Sequence, residues 1–294
     1  MDIRNITEEP PRVEDGKYLE KMFDLQKELT EGYIKIEGLP QYPININAKK
    51  SQVILKDFAS RVTEELAEGY ESTHLAVQMA SQVGWNIDKL NSQQYQMLIN
   101  HLQNSNEEQA DATAFFIELL LYAGVTPQHL RGFALDQVRH NPDAYLVCSK
   151  YPTLQLLMEV GALLLNNFHE VPEYPFGPQG YRLIDEYTLD KAEYIKVMEY
   201  CPAFNQMSGE FHKIEAALLW QIQYHLGVGR NYLKNKPWKQ TGELSDEEPY
   251  YENLYLGIIK MFGYHHIVGF TPDSLYRLFF KKNRVNVFRQ KSEY

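Results

Sequence analysis

Phe58-Ala-Ser-Arg-Val62-Thr-Glu-Glu65-Leu66-Ala-Glu68-Gly-Tyr70 carries apolar residues at helical spacing and two glutamates three positions apart. Upstream, Val53 and Ile54 join Phe58, Val62, Leu66 and Tyr70 on one face, which predicts an amphipathic helix from around Ser51. On that helix Glu65 and Glu68 sit about 60° apart around the axis and project to one side. Glu108 and Asp111 repeat the spacing just before the apolar run Ala112-Thr-Ala-Phe-Phe-Ile117. If the two helices pack antiparallel, four carboxylates converge. Such a set repels itself unless a cation neutralises it, and Mg²⁺ suits oxygen donors that must leave room for water and phosphates. Glu64 and Glu71 flank the first pair, placed to serve as a base or an outer ligand. The plainer alternative is that these are acidic pairs on solvated helix faces.

The rest of the chain extends the helical pattern. Leu19, Met22, Phe23, Leu25, Leu29, Tyr33 and Ile34 predict a helix from Lys17 to about Lys35, stopped by Gly38 and Pro40. Gln41 to Asn47 reads as a loop. Trp85 to Leu98 reads as a weaker helical connection, and Ser105-Asn-Glu-Glu108 as the capped start of a helix running from Ala110 to Gly124. Pro152 to Asn166 gives one clear helix in the middle, followed by a Pro- and Gly-bearing loop from Val171 to Tyr181. Three more patterns occupy 208–234, 248–263 and 272–291. No period-2 run longer than about five residues occurs, so the fold class is all-α. The expected organisation is a flexible arm over 1–16, a helical-bundle core from 17–125 and 208–294, and a helical insertion of unknown role over 126–207.

Charge and composition narrow the function classes. The net charge of −10 argues against general binding to duplex nucleic acid. No apolar run reaches the ~18 residues of a membrane span, and the acidic N-terminus does not resemble a signal peptide. Cys148 and Cys201 are expected to be free thiols in a reducing cytoplasm. Cations gather at the C-terminus, where Lys282, Asn286 and Arg289 form one helical stripe and Asn283, Asn286 and Gln290 its neighbour. Two cations with several amides suit phosphates, a sugar and a base edge. A second basic block, Arg230-Asn-Tyr-Leu-Lys234-Asn-Lys-Pro-Trp238-Lys, places a tryptophan among lysines.

Together these residues resemble a known family. Glu64-Glu65-x-x-Glu68 followed by Glu108-x-x-Asp111 is similar to the metal signature of the all-α NTP pyrophosphatases, the MazG-like and dimeric dUTPase superfamily. Lys282-Asn283-x-x-Asn286-x-x-Arg289-Gln290, ending at Tyr294, resembles the closing motif of dimeric dUTPases and phage dCTPase-dUTPases. The Arg230 to Trp238 block is similar to a segment of the larger members.

The resemblance implies a homodimeric, Mg²⁺-dependent hydrolase that splits a deoxynucleoside triphosphate into monophosphate and pyrophosphate. Glu65, Glu68, Glu108 and Asp111 would hold the metal, with Glu64 and Glu65 at the attacking water. Lys282, Arg289 and Tyr294 would contact phosphates, helped by Arg230, Lys234 and Trp238. Asn283 or Asn286 would address sugar or base, and Gln26 would line the nucleotide pocket. The chain departs from the family pattern where Thr30 stands for an asparagine and Ala114-Phe115-Phe116 for a histidine. Both changes fall near the expected base, so dUTP is the first choice and dCTP or a modified pyrimidine, in a phage setting, the alternative. Two readings of other classes compete. One is a di-iron carboxylate protein, suggested by Glu71-Ser-Thr-His74; the other is a non-catalytic interaction module.

Overall fold

The computed structural model describes residues 6–84, 89–166, 202–235 and 242–292, with backbone only at 166 and in 202–214. Among these residues there are nine α-helices and no strand, which establishes the all-α class. None of the described helices is long and apolar enough to cross a membrane. Helix α1 spans Tyr18–Glu37 and buries Leu19, Met22, Phe23, Gln26, Leu29, Thr30 and Ile34, a stripe at intervals of three and four. Gly38 ends it in the left-handed conformation (φ 67°) that a residue with a Cβ rarely adopts.

Helices α2 (Lys49–Gln82) and α3 (Ser92–Tyr122) form a long antiparallel hairpin. Phe58 of α2 stacks on Tyr122 at the end of α3, whereas Thr73 meets Ser105 further along. Beyond the main core the hairpin carries a small second cluster of Ala76, Leu90 and Leu98. One expectation is corrected here. Ser105 does not begin a helix; Asn91 does, accepting from the Gln94 amide while the Gln94 side chain accepts from Asn91 N. Ser105 lies inside α3 and directs its hydroxyl to Thr73, 2.8 Å away on α2.

After α3 come α4 (Pro127–Val138), α5 (Pro142–Cys148) and α6 (Thr153–Asn166), of which only the last was expected. Thr126 and Asn141 cap α4 and α5, each followed by a proline at the first helical position. Helices α7 (Pro202–Tyr232), α8 (Glu247–Ile267) and α9 (Pro272–Lys291) complete the set. Leu130, Leu154, Leu157, Val160 and Leu165 belong to the same buried cluster as Leu19, Phe116, Ile258 and Phe279. Residues 127–166, assigned by sequence to the insertion, are therefore built into the main core. Each fully buried leucine contributes roughly 1.5–3 kcal/mol to holding it together. Cys148 is a buried free thiol; Cys201 and the Val171 to Tyr181 loop lie outside the described residues.

Three junctions hold the helices against one another. Helices α6 and α8 cross where Gly161 faces Gly263, with their main chains in direct contact. Helix α9 runs parallel to α1. Tyr18 Oη donates to Asp273 at 3.4 Å, Asn283 Nδ2 to the Leu25 carbonyl at 3.2 Å, and Gln290 Nε2 to the Leu29 carbonyl at 2.8 Å. Gln52 of α2, fully buried, accepts from Asn235 N and donates to Ser245 Oγ, both at 2.8 Å. Lys56 donates to the carbonyls of Leu233 and Asn235, so the ends of α7 and α8 are tied to α2. At the N-terminus, Ile6 and Val13 pack on the core and Arg277 pairs with Glu9 at 3.3 Å.

Candidate metal centre

The hairpin brings the first acidic pair against the second. Glu65, Glu68 and Glu108 each offer an oxygen within 4.8 Å of the others. Gly69 lets the helices approach: a Cβ there would meet Gln109 Nε2 at 2.8 Å and Glu108 Cβ at 3.4 Å. Glu65 and Glu108 are half-buried, and Glu68 faces solvent.

Electrostatics in this group follow from crowding. Burial is the main reason the Glu65 carboxyl rises to about 8. Its hydrogen bond with Glu108 and the charges of Asp111, Glu108 and Glu68 push in the same direction. Glu108 is raised as well, first by burial, although the bond from Glu65 pulls it back. One proton is thus shared between two carboxyls that repel each other as anions.

Asp111 stands outside the group of three. Its Oδ2 is 2.6 Å from Lys282 Nζ, and Glu107 lies 3.8 Å from the same ammonium. Burial raises the Asp111 carboxyl despite that cation. Burial likewise opposes the charge on Lys282, but Asp111, Glu107 and Glu108 outweigh it, so the Lys282 pKa ends above its ordinary value. Arg289 acts on Asp111 from a distance through its charge. Helix α9 therefore sets Lys282 against the acidic residues in the middle of α3.

The remaining expected residues divide. Glu64 and Glu71 are exposed on α2 and lie outside the group of three. Asn283 is buried, with its amide given to the α1 main chain and its oxygen to Arg284, so its polar atoms are engaged within the protein. Asn286 Oδ1 accepts a long contact of 3.5 Å from Arg289. Arg230 borders a small cavity with Leu55, Ala59, His225 and Tyr250, and Lys234 pairs with Asp246 at 2.8 Å. Trp238 and Tyr294 lie outside the described residues. His74 bonds to Gln78 at 2.6 Å and stacks on Tyr70; it belongs to no cluster of potential ligands among the described residues.

About two turns beyond Asp111 on α3 lies a polar cluster whose carboxylate, Glu118, sequence reasoning missed. Glu118, buried on α3, accepts from Gln26 Nε2 and from Thr30 Oγ1, each at 3.3 Å. Burial lifts its carboxyl to about 7, against the lowering effects of Thr30, Arg61 and Gln26. Gln26 Oε1 is buried and has no hydrogen-bond partner among the described residues. Arg61 lies over the rings of Phe58 and Phe115, 5.7 and 5.5 Å from their centroids. Burial raises the Tyr33 phenol, helped by the charges of Glu118 and Glu37 and opposed by that of Arg289. The family resemblance places Gln26 and Thr30 near the expected base; the signal for Glu118 is a lone carboxylate inside the apolar run from Phe115 to Val125. Comparison with family models, with curated proteins and with solved structures finds no match to this chain.

Proposed function

We propose that the chain is a Mg²⁺-dependent pyrophosphohydrolase of pyrimidine deoxynucleoside triphosphates, acting on dUTP and working as a cytoplasmic homodimer. The observation that carries this reading is the convergence of Glu65, Glu68 and Glu108 beside the Asp111–Lys282 pair. The donor set fits the metal: it is all oxygen, crowded enough to hold a proton on Glu65 at neutral pH, and bordered by one buried ammonium. Such a site lowers its electrostatic energy by exchanging protons for a hard divalent cation.

When bound, Mg²⁺ supplies charge neutralisation for the triphosphate and a more acidic water. The protein does the rest by placement. Glu65, Glu68 and Glu108 fix the position of the negative charge, and a Glu65 oxygen, once its own proton has been displaced, can take one from a water held in the group. Lys282 and Arg289 on α9 offer positive charge to phosphate oxygens arriving at the open, Glu68 side. Dimerisation rests on the family resemblance, and the cytoplasmic setting on the two cysteines read as free thiols.

A second reading, a dCTP or 4-amino-pyrimidine pyrophosphatase, is favoured by Glu118. A buried carboxyl beside the unpartnered Gln26 oxygen accepts hydrogen bonds from an exocyclic amino group better than it accommodates a carbonyl. Pyrophosphate release measured over all the canonical deoxynucleoside triphosphates with Mg²⁺ tests both readings. Release from dUTP supports the first and preferential release from dCTP the second. No release from any nucleotide sinks both.

A further inference from the structure

Two carboxylate pairs meet in the hairpin, yet only three of the four carboxylates form the group. Asp111 is held aside at 2.6 Å by Lys282, an ammonium that is itself only 9% exposed. Burying a lysine against a carboxylate costs desolvation of both partners, and it persists only where the pairing is close. Here the ammonium supplies the counter-charge to Asp111, with Glu107 3.8 Å from the same nitrogen. The Lys282 stem is fixed by the bonds that tie α9 to α1 at its neighbour Asn283 and at Gln290.

Resting on the metal reading above, we infer that Lys282 is an internal counter-cation that competes with the divalent ion for Asp111. In the free protein it keeps Asp111 out of the ligand set. When a divalent ion binds Glu65, Glu68 and Glu108, Asp111 turns to that ion and the Lys282 ammonium is released to an incoming phosphate oxygen. Metal and phosphate then promote each other's binding, because each takes one partner of the same ion pair. Lys282 is in this sense a positioning residue with two successive partners.

The test is a double-mutant cycle on Mn²⁺ affinity, read by electron paramagnetic resonance without nucleotide. Lys282→Met removes the competitor and is expected to tighten Mn²⁺ binding about tenfold, the scale of one charge-assisted hydrogen bond. In an Asp111→Asn background the same substitution is expected to change affinity less than about twofold. Equal affinities for wild type and Lys282→Met, or an undiminished effect in the Asp111→Asn background, would overturn the inference while leaving the metal site standing. Absence of Mn²⁺ binding in every variant would overturn both. Should Lys282→Met not fold, amine labelling of the unmodified protein decides. Labelling at Lys282 is expected to rise when Ca²⁺ is added, and unchanged labelling alongside demonstrated Ca²⁺ binding would overturn the exchange.

Discussion

The Cβ that Gly161 lacks would fall against the main chain of Gly263, 2.7 Å from its amide nitrogen and closer still to the Ile259 carbonyl. Nothing flexible lines that contact, so an added methyl group can be accommodated only by moving α6 away from α8. Gly161→Ala is expected to cost about 3 kcal/mol or more, at the upper end of overpacking penalties. A urea midpoint unchanged from wild type would contradict this close crossing.

Glu118 sets a pH dependence of stability. Its folded carboxyl titrates near 7 rather than at the ordinary 4.5, chiefly because it is buried. The folded protein therefore holds this proton more tightly than the unfolded chain does. The associated stability is complete below pH about 4.5 and is lost as pH rises through about 7. Between those limits wild type is expected to lose on the order of 3 kcal/mol relative to Glu118→Gln. Parallel curves for the two proteins would show that Glu118 is ionised in the fold throughout.

The helix boundaries illustrate what sequence can carry. The apolar stripes of α1, α2 and α9 were legible because each helix buries one face against a single large core. Ser105 misled because a serine ahead of two glutamates has the composition of a cap. Its hydroxyl is in fact used between helices, on Thr73. The real cap, Asn91 with Gln94, lay in a stretch whose periodicity was weak. The acidic pairs were legible as pairs, and the convergence of Glu65, Glu68 and Glu108 followed once the hairpin was assumed antiparallel, although the expected fourth member, Asp111, pairs with Lys282 instead. The partner of Asp111 and the donors to Glu118 were not legible, since both depend on how α9 and α1 seat against α3.

Divalent metal is expected to stabilise the protein through the carboxylate group. At a Mg²⁺ concentration well above its dissociation constant, binding adds about 2–3 kcal/mol, equivalent to a rise of roughly 5 °C in melting temperature. A chelator should reverse the rise, and Glu108→Gln should abolish most of it. On the proposed reading, Glu68→Gln within that group and Asp111→Asn beside it are each expected to reduce pyrophosphate release by about a hundredfold or more. Full activity in both variants would sink the metal assignment.

Gln52 joins three segments through one buried amide. Gln52→Leu would remove the acceptor of Asn235 N and a partner of Ser245 Oγ, although the latter keeps its bond to the Ile46 carbonyl. One orphaned buried N–H costs about 2 kcal/mol. Hydrogen exchange should report it first at Asn235, accelerating there more than at the core amides of α3. Uniform acceleration would point to global destabilisation instead.

The two amides that Asn283 and Gln290 extend to the carbonyls of Leu25 and Leu29 have an effect beyond fastening one helix to another. They are index marks. A slide of α9 along α1 by a single turn, about 5.4 Å, would misalign both at once and carry the Lys282 ammonium out of reach of Asp111. The ruler for that distance is the main chain of α1, a helix that itself contributes no residue to the acidic group. Where the cation stands among the carboxylates is thus calibrated from outside them.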